Sequence, residues 1–227
     1  MIMKIRICTV VTGENLQEFL KNLKKIQSVS DMIELRVDGI KGIKPEDVPF
    51  IKKTVIKPSV FTCRREDEGG KFSQSEKMRI QILNEAVRAC FEYVDIELST
   101  MEESALNLKR HKKTKLIISY HNFIETPDGL FLKSLIKKME QFHPDIVKLA
   151  TMVNNDYDNR TLFRLITDCS FDYDRIIIGM GEKGQISRII GPLLGNYLTY
   201  STTSNGKKTL GQIHLSKLRS LYQLMGV

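Results

Sequence analysis

Two ionisable residues stand in apolar, strand-like surroundings. Ile146-Val-Lys148-Leu-Ala150 sets a lysine inside one apolar run, and Lys115-Leu-Ile-Ile-Ser-Tyr-His121 closes another on a histidine. Burial of a lysine favours the neutral amine over the ammonium, and imine formation with a carbonyl requires that neutral amine. A histidine near neutrality can take a proton and return it. Either residue alone has a plainer use, since a strand lysine can snorkel from a sheet edge and a strand-end histidine can close a loop. Together they point to carbonyl chemistry at an amine nucleophile.

Further charged residues close the neighbouring apolar runs: Glu34-Leu-Arg36-Val-Asp38, Thr62-Cys-Arg64 and Asp95-Ile-Glu97. Strand alternation puts Glu34, Arg36 and Asp38 on one face, and Asp95 and Glu97 likewise. Mutual neutralisation of Glu34 and Arg36 competes evenly with substrate binding as their use. The carboxylates of Asp95 and Glu97, if near the buried lysine, would adjust its charge state.

These residues need a scaffold, and the chain alternates strand and helix patterns from end to end. Strands are expected at 5–11, 32–38, 59–64, 93–98, 116–121, 146–151, 175–180 and 197–202. Amphipathic helices are expected at 14–26, 75–91, 128–142, 158–168 and 211–225, with weaker ones at 45–54, 101–110 and 186–194. Strands joined by single helices run parallel, so the expected fold is α/β, a (β/α)8 TIM barrel forming a single domain over residues 1–227. A doubly wound dinucleotide sheet would carry Gly-x-Gly-x-x-Gly after its first strand, where this chain has Val10-Val-Thr-Gly-Glu-Asn15. In a barrel the active site gathers at the carboxyl ends of the strands, where the charged residues lie.

The 227 residues are 41% hydrophobic, enough for one large core. No apolar stretch is long enough for a membrane span, and the amino terminus lacks a signal-peptide pattern, so the expectation is a cytoplasmic protein without membrane association. Cys8, Cys63, Cys90 and Cys169 form no Cys-x-x-Cys pair and read as reduced, mostly buried thiols; no metal site is expected. The net charge of +8 is spread over many helix faces, and its clusters (Lys21, Lys24, Lys25; 109–113) lack interleaved aromatics. That pattern fits a solvated surface that steers a small anion better than a nucleic-acid site. Asn159-Arg-Thr161 matches a glycosylation pattern by accident in such a chain. Gly179-Met-Gly-Glu-Lys-Gly184 lacks the Lys-Ser or Lys-Thr of a phosphate loop and reads as a tight turn, with Met180 a possible lining residue.

Taken in order, these segments resemble the type I 3-dehydroquinate dehydratases: Glu34-Leu-Arg-Val-Asp38, Thr62-Cys-Arg64 with Glu68-Gly-Gly70, Asp95-Ile-Glu97, Ser119-Tyr-His-Asn122, Lys148-Leu-Ala150, Ile186-Ser-Arg188 and Gly211-Gln212. The resemblance implies a lyase that converts 3-dehydroquinate to 3-dehydroshikimate with no metal or organic cofactor, as a homodimer. It implies that Lys148 forms the imine, that His121 is the acid-base group, and that Glu68 orients His121. It also implies that Glu34, Arg36 and Arg64 hold the ring hydroxyls and that Arg188 and Gln212 hold the carboxylate. Thr9 stands where the family often has serine. Where the family shows Ser-Ala-Pro-Gly-Gln this chain has Lys208-Thr-Leu-Gly-Gln212, so Thr209 or Lys208 replaces the lid serine. Two rivals fit less well. A class I sugar-phosphate aldolase would need a phosphate site after strands seven and eight, and a barrel-derived nucleic-acid binder leaves Lys148 and the inward carboxylates without a use.

Overall fold

The computed structural model describes residues 5–103, 111–168, 173–203 and 211–227. The elements run β1 (Ile7–Val11), α1 (Leu16–Gln27), β2 (Met32–Arg36), α2 (Val48–Thr54), β3 (Ser59–Thr62), α3 (Glu76–Arg88), β4 (Tyr93–Glu97) and α4 (Leu98–Glu103). They continue with β5 (Lys115–Asn122), α5 (Gly129–Glu140), β6 (Ile146–Met152), α6 (Asp156–Thr167), β7 (Asp174–Met180), α7 (Gln185–Leu194), β8 (Thr199–Thr202), β9 (Ile213–His214) and α8 (Leu215–Leu224). Strands neighbour one another in the order β7-β6-β5-β4-β3-β2-β1-β8-β9. Consecutive strands are adjacent and β8 returns beside β1, which is the order of the (β/α)8 fold and not the mid-sheet reversal of a doubly wound one. Among the described residues no helix is long and apolar enough to cross a membrane.

The chain divides into two compact units, Val10–Ile118 and Met1–Thr9 with Ser119–Val227. In the first, Phe19, Leu23 and Ile26 of α1 are buried, as are Ile33 and Leu35 of β2, Phe61 of β3, and Ile82, Leu83 and Ala86 of α3. The Phe61 and Phe91 rings meet at 4.9 Å between centroids. α1 begins where the Asn15 side chain accepts from the Glu18 amide, and α3 where Ser75 accepts from Met78. Each such cap satisfies an orphan helix donor and contributes about 1 kcal/mol.

In the second unit, β6 and β7 pair in parallel from Ile146↔Asp174 to Met152↔Met180. β1 pairs with β8 through Ile7↔Thr199 and Thr9↔Ser201, and β8 pairs with β9. Ile7, Ile213, Leu215, Leu218 and Tyr222 form one buried cluster. Asn155 and Asp158 make a capping box that starts α6.

Several expected ends move. The helix expected over 211–225 begins only at Leu215, because Ile213 and His214 join the sheet and the His214 side chain then caps α8 through the Ser216 amide. The helix expected to reach Phe91 stops at Arg88. Phe91 N donates to Ala86 O and Cys90 N to Val87 O, a Schellman ending with Cys90 at φ 55°. Cys90 is therefore half-exposed, while Cys8 and Cys63 are buried as expected, and Cys169 lies outside the described residues.

Candidate active site

In Val10–Ile118 the parallel register places Arg36 of β2 beside Thr62 of β3, and Thr62 beside Asp95 of β4. Glu34, Asp38, Thr62, Arg64, Asp95 and Glu97 are all buried, a density of charge that persists only when paired. Arg64, 2% exposed, donates from Nη2 to Asp95 Oδ1 (2.8 Å) and from Nη1 to Glu97 Oε1 (2.9 Å). Burial opposes its charge, but Asp95 and Glu97 more than offset that, so the guanidinium holds its proton more tightly than a free arginine. Glu34 Oε1 accepts from Thr62 Oγ1 at 3.0 Å.

The expected alternation through Asp38 does not hold. β2 ends at Arg36, and a 3-10 turn over Val37–Gly39 folds Asp38 back onto it. Arg36 then forks onto that carboxylate, Nε to Oδ1 at 2.8 Å and Nη2 to Oδ2 at 2.9 Å. Burial works against the Asp38 charge, yet Arg36 holds its carboxyl below the usual range.

Glu68 ends a 3-10 turn, Glu66–Glu68, and is buried. The two glycines after it are required: Gly69 has φ +76°, and a Cβ on Gly70 would fall 2.0 Å from the Arg64 carbonyl oxygen. Glu68 Oε1 accepts from Ser99 Oγ at 3.1 Å. Burial pushes its carboxyl up to about 7, against the pull of Arg64 and with help from Glu97. A raised folded-state value means that the fold favours the protonated acid. The stability this gives is fully present below the unfolded value near 4.5 and is lost as pH rises through about 7. Glu68→Gln, which cannot ionise, should therefore gain stability relative to wild type by up to about 3 kcal/mol between pH 4 and pH 8. Urea unfolding at both pH values checks this; a difference independent of pH would contradict it.

The sequence reading missed the buried charge of Arg79. Arg79 of α3 is 1% exposed and donates from Nη1 to Glu97 Oε2 and to the Cys63 carbonyl, both at 2.7 Å. Its position three and four residues before Ile82 and Leu83 places it on the apolar face of α3, and that was the available signal.

In the second unit, Lys148 lies in β6 in register with Ile176 and is 4% exposed. Its Nζ stands 4.8 Å from the centroid of the Tyr200 ring on β8, a neighbour the sequence did not indicate. His121, near the end of β5, is half-buried and stacks on Phe123 at 6.4 Å and 19°. Thr9 is fully buried, with Oγ1 3.1 Å from Ser201 Oγ. Arg188 is buried in α7, whose backbone is pinned there: its carbonyl accepts from Thr199 Oγ1 at 2.8 Å and from the Tyr222 hydroxyl at 3.0 Å. Gln212 is half-buried after Gly211, which has φ +80° and whose Cβ would fall 2.1 Å from the Gly181 carbonyl oxygen. Lys208 and Thr209 lie outside the described residues. Gly179 and Met180 end β7 and the expected tight turn follows over 181–184; Gly179 N donates to Ser187 Oγ, which donates to Gly184 O, both at 2.7 Å. Met180 is buried.

Each unit thus holds one set of groups: carboxylates and arginines with Glu68 in the first, and the amine, imidazole, arginine and amide in the second. The chain matches the family model described as Type I 3-dehydroquinase over residues 7–227. It is 38% identical over 218 residues to a 3-dehydroquinate dehydratase of Coxiella burnetii, covering 96% of this chain and 92% of the relative. It is 34% identical over 225 residues to one of Methanococcus maripaludis, with 97% and 100% coverage. Its backbone is similar to the crystal structure of a type I 3-dehydroquinate dehydratase of Clostridium difficile with covalently modified comenic acid, at TM-score 0.83 and 26% identity over 98% of this chain and 92% of that one. A family match spanning all the segments that carry the charged strand ends, together with relatives similar over nearly their whole length, means that this chain belongs to the type I 3-dehydroquinases.

Proposed function

We propose that the chain carries out the dehydration of 3-dehydroquinate to 3-dehydroshikimate, a step of the shikimate pathway leading to the aromatic amino acids, through an imine on Lys148. The observation that carries this reading is the burial of Lys148, 4% exposed within β6, in a chain that belongs to the type I 3-dehydroquinases. The neutral amine adds to the substrate ketone and water leaves, giving a protonated imine. That imine is an electron sink for the pair left when the adjacent C–H proton departs. His121 takes this proton and then delivers one to the departing hydroxyl, and hydrolysis of the imine releases the conjugated enone and restores the amine.

The remaining assignments follow the family resemblance. Glu68 orients His121; Glu34, Arg36 and Arg64 hold ring hydroxyls; Arg188 and Gln212 hold the carboxylate, to which a guanidinium fork is well matched. Thr9 supports the site from β1, and Thr209 or Lys208 makes the lid contact. The chain is read as a single catalytic domain acting on one small-molecule substrate, with no metal or organic cofactor and no nucleic acid. The enzyme works in the cytoplasm as a homodimer, so a monomer mass in sedimentation would contradict that part. Purified protein given 3-dehydroquinate should generate the ultraviolet absorbance of a conjugated enone, and no absorbance change at high enzyme concentration would refute the assignment.

A further inference from the structure

Arg79 is fully charged, almost wholly buried, and unused by the chemistry above. Its contacts converge on Arg64. The Glu97 carboxylate is gripped from two sides: Oε1 accepts from Arg64 Nη1 (2.9 Å) and the Arg65 amide (3.1 Å), while Oε2 accepts from Arg79 Nη1 (2.7 Å) and Thr100 Oγ1 (3.4 Å). The same Arg79 nitrogen donates to the carbonyl of Cys63, the residue immediately before Arg64. Arg79 therefore reaches Arg64 twice, through the carboxylate that orients the guanidinium and through the backbone that carries it. Arg79 is itself held by a fork from Glu76, Nε to Oε2 at 2.8 Å and Nη2 to Oε1 at 2.7 Å.

The charges explain why a second arginine is needed. Asp95 and Glu97 both face Arg64, so one guanidinium alone would stand against two buried carboxylates. Arg79 neutralises the second and fixes the rotation of its plane, so that Arg64 meets an immobilised Glu97 beside Asp95.

We propose that Arg79 is a positioning residue for the active site, fixing the Arg64 guanidinium through Glu97 and the Cys63 carbonyl. This rests on the reading of Arg64 as a ligand of the substrate's ring hydroxyls. A ligand that binds ground state and transition state alike acts on KM more than on kcat. A displacement of the guanidinium by about an ångström is enough to cost about 10- to 100-fold. Lysine at position 79 retains the charge but cannot span Glu97, Cys63 and Glu76 together.

The test is steady-state kinetics of Arg79→Met, Arg79→Lys, Glu76→Gln and Arg64→Lys, each first checked for cooperative unfolding. Arg79→Met should raise KM for 3-dehydroquinate about 10- to 100-fold with a smaller change in kcat, and Arg79→Lys should recover part of the loss. Glu76→Gln lies at the partly exposed end of the fork and should fold if Arg79→Met does not; it should raise KM in the same direction by a smaller factor. A role confined to stability would lower the unfolding midpoint of the folded variants and leave KM alone, overturning the proposal. A raised KM in Arg64→Lys with wild-type KM in the Arg79 and Glu76 variants overturns the positioning role while sparing the reading of Arg64. A wild-type KM in Arg64→Lys removes that reading and the proposal with it.

Discussion

Lys148→Ala is expected to lower kcat by about 10⁴- to 10⁶-fold, the scale on which enzymes lose activity when the covalent nucleophile is removed. Among the described residues Lys148 is the one buried lysine, so no other amine stands ready in the same environment. Without the imine there is no electron sink, and proton removal would have to form an enolate stabilised only by hydrogen bonds. The fold should survive the change, although deleting a side chain between Val147 and Leu149, both about fully buried, leaves a cavity beneath Tyr200. Stopped assays with wild-type and variant enzyme at saturating substrate measure the ratio, and a loss of less than tenfold would show that the amine is not covalent in the reaction.

His121→Ala is expected to slow turnover by about 10²- to 10⁴-fold while leaving the imine able to form, since general acid-base catalysis contributes on that scale and the nucleophile is untouched. The two variants should therefore differ in kind. The lysine variant binds substrate without covalent attachment, whereas the histidine variant accumulates the attached substrate ahead of the blocked proton transfer. His121 is half-buried beside the Phe123 ring and keeps access to solvent, as the proposed return of a proton in each cycle requires. Single-turnover quenching of His121→Ala that found no covalent species, or steady-state turnover near wild type, would place the base elsewhere.

The order of strands and helices was legible because period-2 and period-3.6 patterns alternate cleanly along the chain. The ends were not. Strand β2 looks continuous through Asp38, but the pull of Arg36 on the Asp38 carboxylate folds the last residues into a 3-10 turn, a side-chain effect that periodicity does not register. Helix α3 stops with Cys90 in the left-handed position where glycine usually marks the end, so the stop signal was absent from the residue type. His214 looked like a helical residue and is a cap.

The charged groups themselves were legible as residue types at strand ends, because polar residues at the end of an otherwise apolar run need a reason. Their partners were not. Arg64 was read as a ligand, yet its geometry depends on Asp95, Glu97 and, through Glu97, on Arg79 of the following helix, a relation between elements that strand spacing does not encode. The aromatic neighbour of Lys148, Tyr200, comes from β8, two strands further along the chain than β6, for which one sequence offers no signal.

Borohydride trapping tests the central claim most directly. With 3-dehydroquinate present during turnover, reduction of the imine should inactivate the enzyme and add the mass of the reduced ligand to the peptide bearing Lys148, with no addition when substrate is omitted. An adduct on a different lysine, or an unmodified chain at saturating substrate, would contradict the account.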